Sequence, residues 1–514
     1  MKDTILGVET EYGLYFKKDG KPAHLLDKEI IMVKFNNLLN EYLKNDNQCD
    51  IGPSFQFLEN GGRLYIDTNI HPEYATPECS SAIEIVKYNK AGHNIFFKCK
   101  KPLEEKFKNE GYDIALTFLA DNKALNPDRS NNNEIYNTYG THENYCIQKS
   151  SYNYDLWNWL LPFLATRQIY SGAGAFFTEK NNKKYPYGFV LSPRAFFTEE
   201  TVGGATTAAR PMINTRDEPH ANKESLWRLH ILCGESNRSD WSNWLKIGVT
   251  ALVISTFCKK PSVFKNKPNL ANPLSTFKTV SKDCDPNKKN VLCFNEETSE
   301  HFYLSALKIQ KIYLEKAREY AAGEKSDNEA EQIINEWAEI LAMLERKDEE
   351  LEYMLDWKIK QKLFREMEQR KKAKNENFTN WDRANIDIKY HNIDPGGIFE
   401  IMEKAGHIKR LVSDADVLEA LIYPPSTTRA LARGIAIKIC KQLGLYRKAV
   451  DWTSISINGE QFSILNPFLP NQSDASILTE NSSRMEIFAA HYPELNKFLK
   501  RTAVEMLGNK PRVE

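Results

Sequence analysis

The sequence predicts an α+β fold, and three regions of the chain indicate this class. The first third of the 514 residues contains short β-type runs interrupted by glycine and proline, which is typical of strands in a sheet. Between residues 297 and 374 the composition shifts to Glu, Lys, Leu and Ala, which favour helices. Pro424 and Pro425 then stiffen a connection. We therefore predict a large α+β domain over residues 1–425 and a small C-terminal domain over residues 426–514.

Individual elements follow from local patterns along the chain. Residues 6–16 and 62–67 predict short strands, because β-type side chains alternate there between turn residues. Residues 81–100 predict a helix from their apolar periodicity. A further helix is predicted over residues 348–371, where leucine and isoleucine recur at every fourth position. Strands therefore dominate the beginning of the chain, and helices dominate the later part.

Composition argues against several classes of protein. The chain has 69 Lys and Arg against 69 Asp and Glu, whereas nucleic-acid binders usually carry a basic excess. The longest apolar run, residues 247–257, is far shorter than the roughly 20 residues of a membrane span. Asp3 and Glu9 stand where a secretion signal needs a basic and then an apolar stretch. We expect no nucleic-acid partner, no membrane partner and a cytoplasmic location.

Polar side chains concentrate on one face of the first two predicted strands. Side chains alternate between the two faces of a strand, so Arg63, Tyr65 and Asp67 point to one side of the second strand. Glu9 and Glu11 share a face of the first strand in the same way. A solvated sheet face without a chemical role is the alternative interpretation of this pattern.

The carboxylates of this region suit a metal-bound anion. Neighbouring carboxylates repel each other unless a cation or a basic group lies between them, and Mg²⁺ prefers hard oxygen ligands. The acidic residues concerned are Glu9, Glu11, Asp67, Glu73 and Glu78. With Arg63 on the face of Asp67, they indicate a site for a nucleotide polyphosphate, on the condition that the two strands are neighbours.

Two common nucleotide-binding loops are missing from the sequence. No G-x-x-x-x-G-K-[ST] segment occurs, and residues 171–174 lack the third glycine of a dinucleotide fingerprint. The sequence therefore argues against a Walker-type ATPase and a Rossmann enzyme. A bound nucleotide has to lie on the sheet, held by arginines and metal ions.

A second polar segment, residues 214–220, adds candidate site residues. His220 is a candidate metal ligand, and Arg216 or Arg228 is a candidate for stabilising charge on a transferring phosphoryl group. A structural hydrogen bond is the alternative role for each of these residues. The concentration of His, carboxylate and Arg side chains within a few residues indicates a site.

Several motifs, taken in chain order, resemble the Pup ligase and depupylase family. They are GVETEYGL, NGGRLYIDTNIHPEYATPEC, YGTHENY, RPMINTRDEPHA, YHNI with GGIF, PPSTTRA and VDW. The resemblance covers residues 7–467. It implies a fold similar to glutamine synthetase and the carboxylate-amine ligases, in which a curved, mainly antiparallel sheet cradles Mg-ATP. Helices back that sheet, and a small C-terminal domain packs beside it.

The resemblance also implies roles for individual residues. The magnesium ligands it implies are Glu9, Tyr65 and Glu73, and the implied catalytic base is Asp67. The implied ATP contacts are Arg63, Thr76 and Trp452. The strand pattern places Arg63, Tyr65 and Asp67 on one face independently of the resemblance.

The implied reaction is an ATP-dependent ligation in two steps. ATP phosphorylates the γ-carboxylate of the C-terminal glutamate of a small Pup-like modifier protein, and a lysine ε-amine of a target protein then attacks the acyl phosphate. A modifier ending in glutamine would first need deamidation. Three alternatives are weighed against it: a depupylase or deamidase that hydrolyses such bonds, a small-molecule carboxylate-amine ligase, and a catalytically inactive binding protein, against which the joint presence of Glu9, Arg63, Tyr65, Asp67 and Glu73 argues.

Three features favour the ligase branch of the family, the first being that YHNI with GGIF, LDW and VDW look closer to ligase patterns. Three residues separate Asp67 from His71, which resembles the ligases, whereas two are typical of the depupylases. The stretch between Gly13 and Asn60 is short for the long loop that depupylases insert before this strand. The identity of the modifier and of the targets stays open.

Overall fold

The fold is given by a computed structural model with an α+β architecture, which confirms the predicted class. In the described part of the chain, no helix has the length and apolar character needed to cross a membrane. The structure describes residues 4–19, 21–22, 33–35, 37–38, 55–67, 71–125, 136–180, 182–206, 208–262, 267–322, 328–445, 448–469 and 482–508.

The strands of these residues form one large sheet and several small ones. In chain order they are β1 (Leu6–Glu11), β2 (Gly13–Lys18), β3 (Lys21–Pro22), β4 (Phe55–Phe57), β5 (Arg63–Asp67), β6 (His71–Ala75), β7 (Ile114–Leu119), β8 (Ala124–Leu125), β9 (Tyr136–Asn137), β10 (Thr141–Gln148), β11 (Ala175–Phe177), β12 (Gly188–Val190), β13 (Glu200–Gly203), β14 (Pro211–Asn214), β15 (Leu226–Ile231), β16 (Asn269–Leu270), β17 (Lys289–Phe294), β18 (His301–Ser305), β19 (Lys448–Val450), β20 (Ser454–Ile457) and β21 (Glu460–Ser463).

The α-helices pack mainly behind the large sheet. In chain order they are α1 (Ala82–Asn109), α2 (Tyr154–Thr166), α3 (Gln168–Ser171), α4 (Asp240–Lys259), α5 (Pro273–Asp283), α6 (Ala306–Ala321), α7 (Asn328–Arg346), α8 (Asp356–Ala373), α9 (Asn380–His391), α10 (Ile398–Lys404), α11 (Asp414–Ile422), α12 (Ala430–Gln442), α13 (Arg484–His491) and α14 (Pro493–Gly508).

The large sheet has eight strands and is antiparallel except at one edge. Its order is β13-β14-β15-β10-β1-β6-β5-β4, and only the β13–β14 pair among these described strands is parallel. Strand β6 pairs with both β1 and β5. The two strands that carry the predicted polar face are thus separated by a single strand.

Burial on β1 explains why this strand forms the middle of the sheet. Leu6 and Val8 are buried in the main hydrophobic cluster together with Ala82 and Ile85 of α1. Their side chains therefore leave β1 on the helix side, and the alternating positions face the opposite side. Helix α4, which contains the longest apolar run of the sequence, is buried on nearly all sides, as expected of a central core helix.

Two predicted elements differ from the structure. The strand predicted over residues 6–16 is two strands that meet at Tyr12, because β1 belongs to the large sheet and β2 pairs with β7. Tyr12 is fully buried against Phe96, with ring centroids 4.2 Å apart. The helix predicted over residues 348–371 begins later, at Asp356, since that buried carboxylate accepts hydrogen bonds from the backbone N–H groups of Arg238 and Ser239.

The last part of the chain has its own hydrophobic cluster. Leu431, Ile455, Phe488 and Leu499 are among its buried members, and Phe57 joins it from the large sheet. This cluster supports the proposed division near residue 425, which falls between α11 and α12. The exact division into two domains stays a prediction.

Candidate active site

A group of carboxylates lies on the open face of β1, β6 and β5. Glu11 is opposite Glu73 in the β1–β6 pair, and Tyr65 is opposite Glu73 in the β5–β6 pair. One ligand oxygen from each of Glu11, Asp67 and Glu73 lies within 4.8 Å of the others. Strands β1 and β5 are not direct neighbours, as the sequence-based interpretation required, but β6 pairs with both and brings their carboxylates together. We call this set the carboxylate group.

The negative charges of the carboxylate group favour the binding of a cation. Burial, followed by the negative charges of Glu9, Glu11 and Asp67, raises the pKa of Glu73 well above its ordinary value. Burial and the Glu73 charge likewise raise the pKa of the Tyr65 hydroxyl, which is hydrogen-bonded to Glu73. A bound metal ion would relieve the repulsion among these carboxylates that raises the pKa of Glu73. These oxygen donors fit the hard ligand set of Mg²⁺.

Glu11 is held in its ionised form by its neighbours. Burial raises its pKa, but a hydrogen bond and charge from His71 and the backbone N–H of Gly140 bring it down to about 2. The His71 Nδ1 lies 2.9 Å from Oε2 of Glu11, and the Gly140 nitrogen donates to the same oxygen at 2.8 Å. A Cβ on Gly140 would lie 2.4 Å from Nε2 of His142. Glycine at this position therefore leaves room for the neighbouring ring.

Glu9 forms a second group of ligand atoms with two histidines. Atoms of Glu9, His142 and His230 lie within 4.8 Å of one another, and each histidine has a ring nitrogen 3.6 Å from Oε2 of Glu9. Burial lowers the pKa of His230 to about 4, so its ring is neutral near pH 7 and has a lone pair for a metal. We call these three residues the histidine group.

A pocket adjoins the histidine group on the same face of the sheet. Its apolar wall contains Ile5, Pro219, Trp227, Trp452 and Pro467, and its polar lining contains Glu9, Thr76, Asn144, His220 and Arg228. This mixture of an apolar wall and a few convergent polar groups is typical of a small-molecule site. The pocket therefore extends the line of the two ligand groups along the sheet.

Arg228 and Thr76 present polar atoms to this pocket. Nη1 of Arg228 lies 3.5 Å from Oε1 of Glu9 and 3.4 Å from Oδ1 of Asn144. The Thr76 hydroxyl oxygen accepts a hydrogen bond from the Val8 nitrogen at 3.1 Å, which leaves its own hydrogen for a ligand. Both residues therefore contribute to the polar lining of the pocket.

Trp452 closes the pocket from the C-terminal part of the chain. Its ring stacks on His220 with centroids 6.1 Å apart, and the Arg433 guanidinium lies 4.8 Å from its ring centroid. Arg63 lies nearby, with its guanidinium 4.7 Å from the Tyr65 ring. The structure does not bring His220 into either group of ligand atoms, so its ring lines the pocket instead of joining the metal site predicted for it.

Two other predicted residues lie apart from the ligand groups. Arg216 is exposed, and its Nε donates to the Gly204 carbonyl at 3.0 Å. Glu78 is buried between two arginines, with Oε1 2.7 Å from Nε of Arg429 and Oε2 paired with Arg433. Burial raises the pKa of Glu78, but the two guanidinium charges bring it down to about 2. Glu78 therefore holds two protein cations and is not a metal donor.

Comparison with known proteins identifies the family. A family model described as Pup-ligase protein matches residues 4–456. The chain belongs to the Pup-ligase family. It is 33% identical over 487 residues to the Pup--protein ligase of Corynebacterium glutamicum (strain R), covering 90% of this chain and 94% of that protein. It is 32% identical over 462 residues to the Pup--protein ligase of Mycobacterium tuberculosis (strain ATCC 25177 / H37Ra), with the same coverage.

Two solved structures of the Pup ligase PafA share this fold. The complex between the prokaryotic ubiquitin-like protein Pup and its ligase PafA has a TM-score of 0.77 at 28% identity, covering 99% of this chain and 96% of that chain. PafA in complex with ADP has a TM-score of 0.73 at 29% identity, covering 94% and 95%. The Pup-ligase family and its ligase branch are thus confirmed for this chain.

The sequence analysis named Glu9 of the histidine group but missed its two histidines as ligands. His142 belongs to a polar segment of the sequence, but its spacing does not indicate a partner. His230 lies two residues after Arg228 on β15, so the alternation of one strand places both side chains on the same face. The alternation along β15 was therefore the pattern from which His230 could have been placed on the site face. Pairing of β10 with both β1 and β15 brings the histidines to Glu9.

Proposed function

We propose that this chain is an ATP-dependent ligase that joins a small Pup-like modifier protein to lysine side chains of target proteins. The observation that carries the proposal is the alignment of the carboxylate group, the histidine group and the apolar-walled pocket on one sheet face. Relatives named Pup--protein ligase and solved complexes of PafA with Pup and with ADP support it. The cytoplasmic location expected from the sequence stays a prediction.

Magnesium fits the ligand groups of this site. Glu9, Glu11 and Glu73 would hold it, with Tyr65 beside Glu73 and with His142 and His230 beside Glu9. The raised pKa of Glu73, caused by burial and by three neighbouring carboxylates, supports a cation at this position. Bound Mg²⁺ neutralises charge on a polyphosphate and on its transferring phosphoryl group.

ATP fits the pocket with its phosphates toward the two ligand groups. The apolar wall, which includes Trp452 and Trp227, suits an aromatic base. Arg228, which contacts Glu9, and Thr76 line the same pocket and would bind phosphate or ribose oxygens. Arg63 would bind the phosphates from the side of β5.

The proposed chemistry couples two transfers. In the first, a γ-carboxylate oxygen of the modifier's C-terminal glutamate attacks the γ-phosphorus of ATP, and ADP leaves with the bridging oxygen. In the second, a target lysine nitrogen attacks the acyl carbon, and the C–O bond to phosphate breaks. The products are an isopeptide bond, ADP and inorganic phosphate.

Asp67 is the proposed base for the second transfer. A free lysine amine has a pKa of ~10.4, so it must lose a proton before or during attack. Asp67 is partly exposed at the end of β5, next to the carboxylate group. It can therefore reach an amine that enters from solvent and take its proton near the acyl phosphate.

Substitution of Asp67 tests this role. Asp67→Asn should lower the rate of conjugate formation by roughly 10²–10⁴-fold, the usual contribution of a general base, and leave ATP binding in place. Asp113→Asn, on an exposed carboxylate remote from the site, is the matched control. Conjugation by Asp67→Asn at the wild-type rate would show that Asp67 is not the base.

The hydrolase and small-molecule alternatives make different predictions. A depupylase should cleave a purified conjugate in the presence of a non-hydrolysable ATP analogue, whereas a ligase should not. A small-molecule ligase should release ADP with free glutamate and an amine in the absence of any modifier protein. We expect neither activity, and ADP release only when the modifier is present.

A further inference from the structure

Gly7 occupies a position in β1 that the fold alone does not explain. It lies inside an interior strand of the large sheet, where glycine weakens the strand and packs no side chain. Its φ is not in the positive range that favours glycine. A Cβ built on Gly7 lies 3.7 Å from Cβ of Asn144, an ordinary contact, with no other described atom within 4 Å. The folded backbone therefore has room for a side chain here.

The open space above Gly7 belongs to the proposed nucleotide pocket. Gly7 shares the open face of β1 with Glu9 and lies opposite Asn144 on β10. It lines the pocket together with Ile5 and Cys146. At about 3.3 Å per residue, its Cα is roughly 7 Å from that of Glu9 along the strand. Gly7 is thus beyond the phosphate end of the site, on the side of the apolar wall.

We propose that Gly7 is a specificity-determining residue that selects a nucleoside triphosphate over a bare polyphosphate. Its partly buried backbone is the part of the pocket lining on which the ribose and base would lie, beside Asn144 on the neighbouring strand. A side chain at this position takes the space of the nucleoside and leaves the metal and phosphate groups unchanged. The inference rests on the proposed function, which places ATP in this pocket.

Two substitutions and two ligands test the inference. Gly7→Val should raise the Kd for Mg-ATP roughly tenfold, because the branched side chain takes space that the nucleoside needs. Gly7→Ala should raise the same Kd by a smaller factor. Mg-tripolyphosphate should bind both variants as it binds the wild type, since it does not reach Gly7. Calorimetry on the full chain measures all six affinities.

Thermal melting separates this role from a structural one. Both Gly7 variants should melt at or above the wild-type temperature, because Val and Ala suit an interior strand better than Gly. Gly396→Ala, at an exposed glycine with open space around it, is the matched control and should leave both affinities unchanged. If Gly7→Val does not fold, the comparison of ATP with tripolyphosphate in Gly7→Ala decides.

Three outcomes would overturn the inference. Wild-type ATP affinity in a folded Gly7→Val protein would show that no nucleoside lies on Gly7. An equal loss of ATP and tripolyphosphate would place the effect at the phosphate end. If the wild-type protein binds no Mg-ATP, the proposed function fails together with the inference. If the wild-type protein binds Mg-ATP and both Gly7 variants bind it equally well, only the inference fails.

Discussion

Replacing Glu78 by glutamine tests how the C-terminal part is held against the large sheet. The Glu78 carboxylate accepts hydrogen bonds from Nε of Arg429 at 2.7 Å and from Nη1 of Arg433 at 3.3 Å. The side chains of Arg429 and Arg433 are 3% and 0% exposed. Glu78→Gln keeps the shape of the side chain but removes the charge that compensates two buried cations. The expected result is a large loss of stability.

Two independent estimates of that loss agree. The pKa of Glu78 falls from an ordinary 4.5 to about 2, which corresponds to about 3 kcal/mol at about 1.4 kcal/mol per pKa unit. Removal of one partner from a buried ion pair typically costs about 3–5 kcal/mol. Because the folded-state pKa is lowered, this stabilisation is present above pH 4.5 and is lost as the pH falls toward 2.

Urea unfolding at neutral pH measures the effect, with Glu419→Gln as the matched control. Glu419 pairs with Arg484 at 2.6 Å on the surface, with the two side chains 50% and 31% exposed, so its loss should cost less than about 1 kcal/mol. Glu78→Gln should also weaken ATP binding, since Arg433 supports the Trp452 ring. A loss of stability no larger than that of Glu419→Gln would refute the reasoning.

The remaining predictions concern the metal and nucleotide ends of the site. His230→Gln should lower Mg²⁺ affinity, measured by calorimetry, by roughly 10–100-fold if the histidine group binds metal; an unchanged affinity would exclude His230 as a ligand. Gly140→Ala should reduce the rate of conjugation without unfolding the chain, because its Cβ would press on the His142 ring; wild-type activity would show that the ring can move aside. Arg228→Ala should raise the Kd for ATP roughly tenfold, whereas Arg216→Ala, which loses a contact to a carbonyl outside the pocket, should leave that Kd unchanged. Equal effects of the two arginine variants would contradict the assignment of Arg228 to the pocket.

Alternation along single strands made much of the carboxylate group predictable. Successive members of the set Arg63, Tyr65 and Asp67 are two residues apart, as are Glu9 and Glu11. The side chains of each set therefore lie on one face of their strand, independently of the rest of the fold. The pairing of β6 with both strands was not predictable from this pattern, because register and strand order depend on packing across the whole sheet. The resemblance implied only that Glu9, Tyr65 and Glu73 belong to one site.

Elements fixed by distant partners were harder to predict. Tyr12 follows β1 with its ring buried against α1, a contact that the neighbouring Gly13 does not reveal. Asp356 begins a helix because it accepts hydrogen bonds from residues more than 100 positions earlier. The predicted metal role of Glu78 was wrong for the same reason, since its arginine partners lie some 350 positions later. Local sequence patterns do not reveal such long-range contacts.

The ion pairs of Glu78 with Arg429 and Arg433 determine when the site can be completed during synthesis of the chain. The carboxylate group is encoded before residue 75, so it leaves the ribosome early. Trp452 and the two arginines that hold its side of the pocket follow more than 350 residues later. A chain interrupted before Arg429 therefore has its acidic cluster but an open nucleotide pocket and an uncompensated Glu78. Unfinished chains should consequently consume no ATP, and ligation should start only in molecules whose C-terminal part has docked.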